Sequence, residues 1–194
     1  MEINSTQIKE LRDTTGISVM QCKKALEEAG GDMQKALIIL KKKRSEAAEK
    51  KSDRELGAGT VGVYVHNTNE VAAMVLLASE TDFVAKNEEF VALARAIAMQ
   101  VAAQDPKYIS REEVTESELK KATEVFKEEV KDKPADMQEK ILSGKLDSYF
   151  KDKILLEQPF IKNPDTTIGE MVTGAVQKFG ENISIVEVKR LSTK

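Results

Sequence analysis

Histidine occurs once, at His66, and cysteine once, at Cys22. A single cysteine rules out an internal disulfide and suits a reducing compartment. A Ser/His/Asp or Cys/His arrangement has only His66 to build on, at the end of a predicted strand with no suggestive neighbour, and zinc lacks its usual ligands. The ordinary reading of His66 is a hairpin-end residue. No apolar run approaches the roughly 18 residues that span a bilayer, and MEINSTQIKE has no basic segment leading into an apolar one. Neither a membrane span nor a secretory signal is expected, and the expected location is the cytoplasm. Charge of one sign is not in excess, since 30 Lys and Arg face 33 Asp and Glu for a net −3, so no overall field favours nucleic acid.

A GxxxxGK[ST] loop is absent too, so the chain is not expected to hold a nucleotide triphosphate itself. Gly57, Gly59 and Gly62 spell GxGxxG, but they follow a charged segment and enter a strand. A dinucleotide site needs the reverse, a strand leading into a helix whose N-terminus holds the pyrophosphate. These glycines read instead as a flexible joint and room at a strand edge. No pair of carboxylates sits in an apolar setting that would shift one pKa. An enzyme is not expected, nor a cofactor or metal.

What is present is a globular balance of 41% hydrophobic and 32% charged residues over 194 positions, enough for one domain or two small ones. Residues 4–44 read as three short helices. Asn4 with Gln7, and Ser18 with Gln21, have capping-box spacing, and Asp32 caps a third start after Gly30 and Gly31. The apolar sets are Ile8, Leu11 and Thr15, then Met20, Ala25, Leu26 and Ala29, then Met33, Ala36, Leu37 and Leu40. A bundle this small usually exists to bind something. Lys41, Lys42, Lys43 and Arg44 form a basic run, read as the solvated end of a helix, with a nucleic-acid contact as the alternative. Residues 45–56 read as a charged linker or helical extension, with a boundary near Gly57.

Residues 57–194 change character. GTVGVYVH and EVAAMVLLAS flank a short polar NTN and predict an antiparallel hairpin, the second strand buried on both faces. Phe90, Leu93, Ala94, Ile97 and Val101 predict a helix from about Asn87 to Ala103. Two helices are expected within 111–153, with a break at Pro134 and a further turn or two separated by Gly144. Thr167 and Glu170 form another capping pair ahead of a helix ending at Gly180, and ISIVEVKRL is a strand. A three-stranded antiparallel sheet with packed helices makes this part α+β. Phe83 and Val84 follow a buried strand and precede a helix. Either they plug the end of the sheet, or they form an anchor presented on a rigid corner. Phe90 nearby already serves the core, which weakens the need for Phe83 there.

Four segments carry a resemblance. LRDTTGISVMQCKKAL (11–26) and ETDFVAKNEEF (80–90) resemble the two signatures of the translation elongation factor Ts family, and LLEQPFIKN (155–163) and FGENISI (179–185) are similar to the closing part of its core. Leu77, Ala78 and Ser79 depart from the pattern of many members. The resemblance implies a nucleotide exchange factor for elongation factor Tu. Residues 1–44 would match the family's ubiquitin-associated-like domain, with Arg12, Val19 and Met20 at the positions that contact the partner's GTP-binding domain. Packing or solvation is the plainer alternative for each. Thr81, Asp82, Phe83 and Val84 would match the segment pressed near the partner's magnesium and phosphates, with Phe83 as the wedge. The hairpin and TDFV occur once and no internal repeat is present, so the chain is similar to the family's short form, and a homodimer through the sheet or adjacent helices is expected. Two other readings stand beside it: a passive peptide or ribosome adaptor using residues 1–44 alone, and RNA binding through Lys41–Arg44.

Overall fold

The structure, a computed structural model, describes residues 4–132 and 134–193. Residues 1–3, 133 and 194, which fall inside the expected domains, lie outside the described ones. Helix-starting side chains set the first unit. Asn4 caps α1 (Ser5–Thr15) in a complete capping box with Gln7, and Asp32 accepts from the N–H groups of Gln34 and Lys35 to start α3 (Met33–Glu49). Only half of the expected second box forms at α2 (Val19–Glu28): Ser18 accepts from the Gln21 N–H. The Gln21 side chain turns away from the cap backbone and accepts from the Ser18 hydroxyl and Gln177 instead. Leu11, Ile17, Cys22, Ala25, Leu26, Ala36 and Leu40 close a core of their own. Cys22 is thus a small core residue, its thiol 3.6 Å from the Ile17 carbonyl.

The third helix does not stop at residue 44. It runs to Glu49, and Ala48 packs against the core of the following unit. The stretch read as linker or extension is therefore helical at its start, anchored by one small apolar side chain. Turns then lead to β1 (Ala58–Val65), which pairs antiparallel with β2 (Val71–Ser79), and β2 pairs antiparallel with β5 (Ile183–Ser192). The order β1-β2-β5 is the expected three-stranded antiparallel sheet in an α+β chain. Its inner face packs on α5 (Glu88–Gln104) and α8 (Ile168–Phe179) around Val75, Leu77, Phe90, Ile97, Ile168 and Val176. Thr167 and Glu170 make the expected box, and Gly180 closes α8 in the left-handed region at φ 77°.

Two expectations need correction, and one element was not expected. The second strand is not buried on both faces throughout: Met74 is exposed, because among the described residues nothing covers the outer face of its first half. Gly144 does not divide the second charged helix, since α7 (Ala135–Lys151) runs through it opposite α6 (Glu116–Val130). A helical glycine costs about 1 kcal/mol relative to alanine, and the packing of Leu146 and Phe150 with Phe126 and Ala122 outweighs that. A two-stranded ladder of β3 (Pro159–Phe160) and β4 (Asn163–Thr167) was not anticipated from the sequence. Among the described residues no helix is long and apolar enough to cross a membrane.

Candidate functional site

Between β2 and α5 the chain turns through α4 (Asp82–Ala85), a single turn beginning at Thr81. Ser79, buried at the end of β2, donates its hydroxyl to the Thr81 carbonyl at 3.0 Å. The Ala85, Lys86 and Asn87 N–H groups then return to the carbonyls of Thr81, Asp82 and Val84. Asn87 caps α5 through Glu89 N–H at 2.9 Å. In this helical turn successive side chains lie about 100° apart, so Asp82 and Phe83 face out while Val84 and Ala85 face in. Val84 is 8% exposed and joins the sheet core, whereas Phe83 is 86% exposed. The aromatic slot beneath is taken by Phe90, fully buried and edge-on to Phe179 with ring centroids 6.0 Å apart. Of the two readings of Phe83 and Val84, the core plug therefore holds for Val84 and fails for Phe83.

Asp82 and Thr81 are exposed beside Phe83. Lys86, one helical turn on, pairs with Asp82 at 2.6 Å and holds its carboxyl below the usual carboxylate range. The expected second group sits on other elements. Arg12 is exposed on α1, and Val19 and Met20 are exposed on the first turn of α2, across the Gly16–Ser18 turn. Among the described residues, no hydrogen bond or ion pair joins these three to the Thr81–Val84 corner. The chain therefore presents two separate exposed patches. Between the bundle and α8 lies a cleft of about 860 Å³ lined in part by Arg12, Lys41, Arg44 and Glu170. The basic run is engaged within the chain: Lys41 pairs with Glu170 at 2.9 Å, Lys43 with Glu28, and the Arg44 guanidinium donates to Gln177 at 3.3 Å. Partial burial lowers the Arg44 pKa. His66 lies at the hairpin end, its Nδ1 3.1 Å from the Tyr64 hydroxyl.

What sequence reasoning missed is the network under the corner. Glu80 accepts from the Asn182 N–H at 2.6 Å and from Arg54 at 3.2 Å. These contacts, the Asn182 N–H first, hold its carboxyl below the usual range. Only its adjacency to Thr81 and the FGENISI similarity offered a signal. A carboxylate depressed in the folded state stabilises above its unfolded pKa of about 4.3, and that stability is lost as pH falls through the folded value. Glu80→Gln is therefore expected to narrow the gap between melting temperatures measured at neutral pH and at acid pH below that range. An unchanged gap would show that Glu80 is not titrating in the acid limb.

The geometry can be set beside known proteins. A profile of the family described as Elongation factor TS matches residues 24–194. An Elongation factor Ts of Thermodesulfovibrio yellowstonii is 46% identical over 186 residues, covering 95% of this chain and 93% of that one. Another, of Carboxydothermus hydrogenoformans, is 46% identical over 185 residues, 94% of this chain and 85% of that one. A third, of Fervidobacterium nodosum, is 43% identical over 193 residues and covers 98% of both chains, so the likeness includes the N-terminal bundle and the corner together. The chain belongs to the elongation factor Ts family, the family of translation elongation factors that the four sequence segments resembled.

Proposed function

We propose that this chain is a guanine nucleotide exchange factor for elongation factor Tu, acting in the cytoplasm. It binds the GDP complex through the bundle and presses the Thr81–Val84 corner toward the magnesium and phosphate site, so that GDP leaves. The observation that carries this reading is Phe83, a large aromatic side chain held almost wholly in solvent on a corner whose next residue is locked into the core. Exposed aromatic anchors on rigid elements concentrate binding energy. An exchange factor needs such a wedge and a second grip, not a catalytic base. By binding the nucleotide-free partner more tightly, it lowers nucleotide affinity by the same factor. Arg12, Val19 and Met20 supply the second grip against the GTP-binding domain. On this reading the chain performs no covalent chemistry and holds no nucleotide, metal or nucleic acid of its own. Release of labelled GDP from elongation factor Tu in the presence of the chain tests it. Residues 1–44 alone binding the partner fully, with residues 57–194 dispensable and no acceleration of GDP release, would favour the passive adaptor reading instead.

The homodimer is part of the same proposal. The outer face of the sheet presents Val61, Val63 and Val65 on the edge strand β1, with Met74, Val186 and Leu191 beside them, all exposed. A valine-rich sheet face open to water invites a second sheet, and a second copy of this chain supplies an identical one. Light scattering is expected to give about twice the 21.5 kDa chain mass, and Val63→Lys is expected to give the single-chain mass. A monomeric wild type would remove this part of the proposal.

A further inference from the structure

The exposed corner is held from the far end of the chain. Thr81 does not cap its own helix. Its N–H donates to Glu181 Oε2 at 3.0 Å and its hydroxyl to Glu181 Oε1 at 2.6 Å, so both oxygens of one carboxylate grip one residue. Glu181 lies in the turn between α8 and β5, directly after the left-handed Gly180. Its buried neighbour Asn182 holds Glu80 through the backbone and donates its side-chain amide to the carbonyls of Ser52 at 3.2 Å and Arg54 at 2.8 Å. Two successive residues thus fix the start of the corner and the connection that leaves α3.

We propose that Glu181 is a positioning residue for nucleotide exchange: its carboxylate fixes Thr81, and through it the direction of Phe83, without itself meeting the nucleotide. The inference rests on the reading of Phe83 as the wedge. A single helical turn does not hold its shape unaided, because nucleating a turn is unfavourable. Phe83 is too exposed for packing to orient it. Hydrogen bonds to a carboxylate are the stronger kind, and a wedge ordered beforehand loses less freedom on binding.

The test measures labelled GDP release from elongation factor Tu with full-length variants. Glu181→Ala is expected to slow the accelerated release roughly tenfold, the scale of one net hydrogen bond, since both contacts are exposed and water replaces part of what is lost. Glu181→Gln is expected to recover most of the rate, since its amide oxygen accepts from the Thr81 N–H and its amide N–H donates to the Thr81 hydroxyl. In a Phe83→Ala background, Glu181→Ala is expected to add little, because residues acting through one another are not additive. Equal slowing by Glu181→Ala in both backgrounds would overturn the positioning role, as would a wild-type rate for Glu181→Ala when Phe83→Ala is slow. A wild-type rate for Phe83→Ala itself would instead overturn the wedge reading, and this inference with it.

Discussion

Replacing Phe83 by alanine is expected to slow the accelerated release of GDP by about thirtyfold to several hundredfold while leaving the melting temperature unchanged. The kinetic loss follows from a single aromatic anchor, which contributes on the order of 2 to 4 kcal/mol at a binding surface. The unchanged stability follows from its position. At 86% exposure Phe83 buries little of its own surface in the chain, and surface substitutions of this kind stay within about 0.5 kcal/mol. Val84→Ala separates the two roles from the other side. That valine lies in the sheet core, so its truncation is expected to lower stability first. A Phe83→Ala protein that melts normally and exchanges at the wild-type rate would remove the wedge.

Gly62→Ala is expected to have the largest effect on stability of any single added methyl group. A Cβ at residue 62 would stand 2.2 Å from the Ala94 carbonyl carbon, 2.3 Å from its oxygen and 2.7 Å from the Arg95 nitrogen. These are backbone atoms of α5, so no side chain can swing aside, and helix and strand have to separate. Overpacking usually costs 1 to 3 kcal/mol, and with rigid backbone on both sides about 3 kcal/mol or more is expected, a fall of roughly 10 °C in melting temperature. Thermal or denaturant unfolding measures it, and an unchanged midpoint would show that β1 and α5 are not this close. Gly59 sits under a similar constraint, its Cβ position 2.8 Å from the Leu77 carbonyl oxygen. The GxGxxG spacing therefore reflects close packing along β1.

Where periodicity is strong, the architecture was legible from residues alone. The 3.6-residue repeats of α5 and α8, the cap at Thr167, the start of α5 near Asn87 and the hairpin strands all stand where expected. The β3–β4 ladder was not legible, because PFIKNPDTT contains two prolines and no alternation, and its paired strands are too short to show a period. Gly144 misled because helix propensity is a weak preference that tertiary packing overrides. The corner was half legible. Spacing left Phe83 and Val84 undecided between core and surface, and backbone geometry separated them. The grip of Glu181 on Thr81 spans 100 residues, and no local pattern encodes a pairing at that distance. The partner and the roles of Arg12, Val19 and Met20 came from the family resemblance, not from periodicity.

The most direct measurement is stopped-flow release of fluorescent GDP from elongation factor Tu with increasing concentrations of the intact chain. The expected release rate climbs with the chain's concentration to a plateau well above the spontaneous rate, with no nucleotide chemistry accompanying it. A release rate that stays at the spontaneous value while the chain demonstrably binds elongation factor Tu would contradict it.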